Sequence, residues 1–345
     1  EILPSDWSSD VCSSDLEGTN GENLPETHAY LKELRKLMDE EYPGTILLCE
    51  ANQWPRDVRA YFGDGDEFQL GFHFPLMPRV FMSIGKEDAS SLVEILNATP
   101  AIPANCQWCT FLRNHDELTL EMVSEEDRQW MWNFYAPDPA MRMNLGIRRR
   151  LYPLMENDRR RVETAYSLIF TLPGSPVLYY GDEIGMGDDI TQFDRNGVRT
   201  PMQWDATKNG GFSTADTTYL PAIRDGRYGY RSVNVAAQSD DPDSNLNRLK
   251  RMIEARRASE ALGWGKLEWL TSGAPLPVLA YRRTTGGDTV IAVHNLTGGS
   301  RTSELKAEDG IYQDLLDSKI VVTAEGGKLR LTLGPRQFYW LRKVG

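Results

Sequence analysis

Apolar residues recur at helical spacing over residues 25–41, where Tyr30, Leu31, Leu34, Leu37 and Met38 fall on one face. Pro25 suits a first helical turn, and Pro43-Gly44 stops the run. The pattern then becomes a short continuous apolar stretch, residues 45–49, that ends at Glu50. Similar stretches cover residues 68–74, 107–112 and 176–180. Helical spacing returns at 88–98 (Leu92, Val93, Ile95, Leu96), at 158–171 (Val162, Ala165, Tyr166, Ile169, Phe170) and at 245–261. Nearly all-apolar strands alternating with helices predict a parallel sheet buried on both faces.

From Gly263 the period shortens. Residues 266–270, 277–284, 289–295, 328–333 and 337–341 alternate or are rich in β-branched and aromatic residues, and Gly-Gly pairs punctuate them. This predicts a small antiparallel β-sandwich domain over 263–345. Three of the four upstream strands end in carboxylates, as at the C-terminal rim of a barrel enzyme. An open doubly wound sheet would bring a Gly-rich phosphate loop, and the sequence has none. Four strand–helix units are half of what a closed barrel needs. The expected fold is α/β: the C-terminal half of a (β/α)₈ TIM barrel over 17–262, its front half absent, then the β-domain. Asp6 to Leu16 resembles the translation of a sequencing adapter, so residues 1–16 are set aside as an artefact.

Composition narrows the chemistry. A formal net charge of -12 disfavours nucleic acid and anionic lipid as partners. No apolar run approaches the ~20 residues of a membrane helix. Cys12, Cys49, Cys106 and Cys109 form no disulfide framework. The Cys106-Gln-Trp-Cys109 spacing puts its two thiols on opposite faces of a strand. A reducing cytoplasm is the default compartment.

Glycoside cleavage needs a general acid and a second carboxylate. Glu50, directly after an apolar strand, is expected at the rim of a low-dielectric barrel, where burial would raise its pKa. Asp116 sits in Arg113-Asn-His-Asp-Glu117. An arginine can keep an aspartate ionised, and histidine or asparagine can donate to sugar hydroxyls. Against these stand plainer roles: a charged strand end for Glu50 and a satisfied polar turn for Asp116. Asp182-Glu183 reads as a structural cap or supporting pair. Trp54, Phe72, Phe74, Trp108, Tyr179, Tyr180 and Trp204 lie near the strand ends, either as sugar platforms or, more commonly, as core.

The strings at residues 48–54 (LCEANQW), 111–122 (FLRNHDELTLEM) and 174–187 (GSPVLYYGDEIGMG) resemble the α-amylase superfamily, glycoside hydrolase family 13. With 144–150 (NLGIRRR) and 197–204 (GVRTPMQW), the likeness is to its maltose α-glucosyltransferase branch. The resemblance implies interconversion of maltose and trehalose in one closed site, with glucose as the released and recaptured partner. It implies Glu50 as acid/base, Asp116 as stabiliser of the oxocarbenium-like transition state, and His115, Asn52, Glu117 and Arg199 around the sugar. The family nucleophile, an aspartate on the fourth barrel strand, would lie upstream of Glu17. The fragment alone is therefore expected to be inactive. The resemblance implies no cofactor for the chemistry, and a structural calcium whose ligands lie mostly in the missing region. It leaves open a homo-oligomer or association with a maltokinase. A retaining α-glucosidase or oligo-1,6-glucosidase-type hydrolase shares these motifs. A non-catalytic sugar-binding half-barrel is the rival from another class, and the presence of both Glu50 and Asp116 speaks against it.

Overall fold

The computed structural model describes residues 21–344; the adapter-like residues and Cys12 lie outside them. Helices are α1 (Pro25–Glu41), α2 (Pro55–Val58), α3 (Leu76–Lys86), α4 (Ser90–Ala98), α5 (Glu125–Tyr135), α6 (Leu151–Leu154), α7 (Arg159–Thr171), α8 (Val235–Ser239), α9 (Asn245–Arg257) and α10 (Glu260–Trp264). The first strands are β1 (Leu48–Cys49), β2 (Leu70–Phe72), β3 (Gln107–Phe111), β4 (Leu118–Thr119), β5 (Arg142–Met143), β6 (Gly146–Ile147) and β7 (Ser175–Val177). The later strands are β8 (Lys266–Trp269), β9 (Val278–Thr285), β10 (Asp288–Asn295), β11 (Arg301–Lys306), β12 (Gly310–Asp314), β13 (Val321–Glu325), β14 (Lys328–Leu333) and β15 (Phe338–Val344). Among the described residues no helix is long and apolar enough to cross a membrane.

The chain divides into two compact units. The first holds the described residues up to Leu76 together with Glu94–Thr110. Here β1, β2 and β3 pair in parallel, with Cys49 opposite Gly71 and Gly71 opposite Trp108. Phe62, Val58, Cys106 and Trp108 form its dry centre. Phe62 meets Trp108 edge-to-face at 5.0 Å, and a side chain at Gly71 would strike Phe62 at 2.9 Å. Glycine is required there by close approach. Cys106 faces this cluster while Cys109, three residues on, does not belong to it, as strand alternation demands.

Helix α1 occupies the expected span, but none of its residues is buried, and Tyr30 and Leu37 are exposed. Polar contacts hold it instead. His28 Nδ1 lies 2.7 Å from the buried Glu67 carboxylate, and Arg35 donates to the Glu67 carbonyl at 3.0 Å.

The second unit holds Met77–Val93 and Phe111 onward. Two of its longer helices escaped the periodicity. Helix α3 is buried nearly all round, so no polar face betrays it, and Pro78 sits in its first turn, where the missing N–H is harmless. Helix α5 is capped by Ser124, which accepts from the Asp127 N–H. The expected helix over 245–261 is broken after Arg257. Ser259 caps a new one, α10, and donates to Asp288 at 2.6 Å.

The C-terminal strands form one curled antiparallel sheet, ordered β11-β14-β13-β12-β15-β10-β9-β8. Strand β14 alternates exposed and buried residues without a break. Leu329, Leu331 and Leu333 join Ile291, Val293 and Leu341 in its core. Helix α7 packs on the sheet through a buried polar link: Trp340 Nε1 donates to Ser167 Oγ at 2.7 Å, and Ser167 Oγ lies 2.8 Å from His294 Nε2.

Candidate active site

The second unit builds a charged turn between β3 and β4. The Asp116 N–H donates to Asn114 Oδ1 at 3.0 Å, closing Arg113–Glu117 into an Asx turn. Beyond it, β4, β6 and β5 form a small antiparallel sheet, which brings the three arginines after β6 under the turn. Arg148 donates to the carbonyls of Ile190, Gln192 and Asp194 at 3.1, 2.8 and 2.7 Å. That fixes the loop carrying Arg195 and Arg199. Arg149 grips the Asp188 carboxylate at 2.9 Å through both oxygens. Arg150 is buried between the rings of Tyr179 and Tyr180, at 4.7 and 4.8 Å, and pairs with Asp182 at 3.3 Å.

Asp116 is partly exposed and meets two guanidiniums, Arg199 Nη2 at 2.6 Å and Arg195 Nε at 3.1 Å. Arg195 also holds Glu117 at 2.7 Å, whose other oxygen accepts from Asn144 at 2.7 Å. Glu117 is thus a bound anchor, with little oxygen left for a ligand. Arg199 Nε donates to the His115 carbonyl at 2.7 Å, and the half-exposed imidazole lies beside the same carboxylate, with His115 Nε2 3.6 Å from Asp116 Oδ2.

Sequence reasoning gave the arginine role to Arg113, and the structure corrects it. Arg113 follows a buried strand and is itself buried. It donates to two backbone carbonyls, Arg149 and Asp116, both at 2.6 Å. Burial pushes its pKa down to about 10. Arg195, 79 residues beyond Asp116 in the chain (195 − 116), went unnoticed; no local pattern marks it. Asp182 fits its supporting role, with burial pushing its carboxyl up to about 6 against the pull of Arg150 and Arg113.

Glu50 and Asn52 belong to the first unit and are exposed. Glu50 was expected in a dry rim. It follows a two-residue strand at the sheet's edge whose Leu48 is itself exposed, so local burial does not supply that environment. Of the aromatics, Phe72, Phe74 and Trp108 are core, while Trp54, Tyr180 and Trp204 are exposed.

For calcium, the fit is poor in what is described. Asp116 faces two cations already, and among the described residues neither unit alone gathers three carboxylate, imidazole or thiol donors at ligand spacing. No step below is routed through that ion.

The α-amylase catalytic domain matches residues 148–265, and the maltogenic amylase C-terminal domain matches 269–340. The chain is 49% identical to the trehalose synthase of Pimelobacter sp. (strain R48), over 94% of its own length and 60% of that protein. It is 54% identical to the trehalose synthase/amylase of Mycobacterium tuberculosis, over 94% of its length and 56% of that protein. It thus spans somewhat over half the length of these relatives. Its fold matches the α-amylase of H. orenii with a TM-score of 0.67 at 23% identity, covering 92% of this chain and 57% of that one. The chain belongs to the α-amylase superfamily, glycoside hydrolase family 13, as a homologue of the trehalose synthases.

Proposed function

We propose that the complete protein interconverts maltose and trehalose by a retaining intramolecular glucosyl transfer. The observation that carries this is Asp116, clamped by the guanidiniums of Arg195 and Arg199, in a chain about half identical to trehalose synthases. A fixed anion is what a sugar ring needs as it gains positive charge. Asp116 is the transition-state stabiliser in this reading. Glu50, in the barrel portion 17–262, protonates the leaving oxygen and later takes a proton from the attacking hydroxyl. His115, Arg199 and Asn52 hold sugar hydroxyls, and Glu117 braces the turn. The nucleophilic aspartate that forms the glucosyl ester is supplied by sequence outside these 345 residues. A structural calcium of the family kind takes its ligands mostly from that sequence as well. Isomerisation then requires that water be excluded while the freed glucose turns and reattacks. The β-domain over 263–345 packs and stabilises, and the free thiols of Cys49, Cys106 and Cys109 suit a cytoplasmic setting.

The test is to feed maltose to the complete protein and to the 345-residue chain. Trehalose should accumulate with the first and not with the second. Turnover by the short chain overturns the assignment of the nucleophile. Absence of trehalose with the complete protein overturns the function. A hydrolytic reading is favoured by one finding: the M. tuberculosis relative is named both synthase and amylase. Free glucose in excess of trehalose would select it.

A further inference from the structure

The stretch from Asp188 to Thr200 carries both guanidiniums that clamp Asp116, yet apolar burial does not hold it. No residue from Asp189 to Asn196 is buried, and Phe193 is 86% exposed. Its backbone is held at the centre by Arg148. Arg148 Nη1 donates to the carbonyls of Gln192 and Asp194 at 2.8 and 2.7 Å, and Nη2 to that of Ile190 at 3.1 Å. Alternate carbonyls of the loop thus turn inward on a single guanidinium. Arg148 Nε donates to the Ala140 carbonyl at 2.8 Å, which ties this hub to the segment before β5. Asp194 sits in the left-handed region at φ 51°, a conformation that costs a residue with a side chain some strain, and its carbonyl is among those held. The neck of the loop closes where the Asp189 N–H donates to the Gly197 carbonyl at 3.0 Å. A side chain at Gly197 would meet the Asp189 carbonyl oxygen at 2.3 Å. Arg195 lies just inside this neck and Arg199 just beyond it.

We infer that Arg148 is a positioning residue for the glucosyl transfer, acting by fixing where Arg195 and Arg199 meet Asp116. The inference rests on the function proposed above, in which Asp116 stabilises developing charge. Such stabilisation works when the group is oriented before the charge appears. Arg195 Nε and Arg199 Nη2 both reach Asp116 Oδ1, at 3.1 and 2.6 Å. A loop shift of about 1 Å would break that convergence, and a misplacement of this size can cost on the order of a hundredfold in rate. Charge alone does not account for Arg148, since among the described residues its hydrogen bonds all go to carbonyls. What the loop uses is the rigid fork of a guanidinium, which a lysine ammonium on its flexible stem does not reproduce.

The experiment measures trehalose formation from maltose by the complete protein carrying Arg148→Lys, alone and combined with Asp116→Asn. Alone, Arg148→Lys should lower kcat about tenfold or more, with a urea midpoint close to the parent's. In the Asp116→Asn background no anion remains to be positioned. The same substitution should then cost less than about twofold, because residues that act through one interaction do not add. General damage to the fold would instead multiply the two losses, and that result overturns the inference. So does a parent-like kcat in the folded Arg148→Lys protein. Should Arg148→Lys not fold, Gly197→Ala loosens the same loop at its neck without removing a donor. It should show the same pair of losses, and multiplied losses there overturn the inference equally. Absence of trehalose with the parent protein overturns the proposed function and this inference with it, and so is told apart from a failure at Arg148 alone.

Discussion

Asp116 and Asp182 both lie within reach of arginines in the same unit, yet their surroundings are opposite. Asp116 is 37% exposed and touches two guanidiniums that are themselves partly open to solvent. Asp182 is buried, meets the fully buried Arg150 at 3.3 Å, and is pushed up to about 6 by desolvation. In the first place charge is cheap to maintain and available to a ligand. In the second it is costly and satisfied only internally. The turn at the rim is therefore suited to chemistry, and the pair beneath it to holding Tyr179, Tyr180 and the Arg148–Arg150 segment in place.

The comparison predicts a double dissociation. Asp116→Asn in the complete protein should lower kcat by roughly a thousandfold, the scale of removing one preorganised electrostatic group. Its stability should change by no more than about 1 kcal/mol, because the pair is solvent-screened. Asp182→Ala should do the reverse, costing about 3 kcal/mol by stranding a buried guanidinium, with kcat of the folded fraction less affected. Kinetics and urea unfolding on the two variants decide it. A stability loss at Asp116 as large as at Asp182 would erase the distinction. The pH dependence sharpens it further. A carboxyl raised from near 4 to about 6 binds more protons folded than unfolded, so its contribution declines as pH rises through that window.

A second contrast lies between this region and the β-domain. His294 is buried, stacked on Tyr281 and Phe338, and burial pushes its pKa down to about 3. The unfolded state then binds more protons than the folded one. The group's contribution is complete above about pH 6.5 and falls by about 1.4 kcal/mol per unit below it. Acid should loosen the helix–sheet joint through Ser167 and Trp340. Between pH 6.5 and 5 the parent should lose about 2 kcal/mol that His294→Phe does not. Urea midpoints at the two pH values measure this, and parallel slopes would discard the idea.

These contrasts also explain what could be read in advance. The β-domain strand β14 was visible because it buries alternate residues, and β9, β10 and β15 because each carries a run of β-branched or aromatic residues with consecutive buried positions. Strands β11 and β13 each bury a single residue and carry mostly exposed ones, so they gave no pattern. The strand ends bearing Glu50, Asp116 and Asp182 were legible because each follows an apolar run that is continuous in sequence. What holds Asp116 was not. Its partners come from a loop about eighty residues on, fixed by Arg148 through backbone carbonyls, and nothing in a local window reports a bond to a carbonyl. Arg113 misled for a related reason. Proximity in sequence suggested a partner for Asp116, while strand direction turned that side chain into the core.

The smallest expected effect tests how the two rim arginines divide their work. Arg199 touches Asp116 and the His115 carbonyl, whereas Arg195 bridges Asp116 and Glu117. Replacing Arg195 by Met keeps much of the stem and removes one of two cations on Asp116. Arg199 remains at 2.6 Å, so one cation still faces the carboxylate. The loss should be about 1–2 kcal/mol of transition-state stabilisation, on the scale of one charge-assisted hydrogen bond, or roughly tenfold in kcat/KM. Glu117 keeps Asn144, so the turn should remain folded. If Arg195 only braces the turn, Arg195→Lys should restore activity by restoring a cation near both carboxylates. A tenfold loss that lysine does not rescue would mean that the planar two-carboxylate geometry, and not charge alone, orients Asp116 toward the sugar.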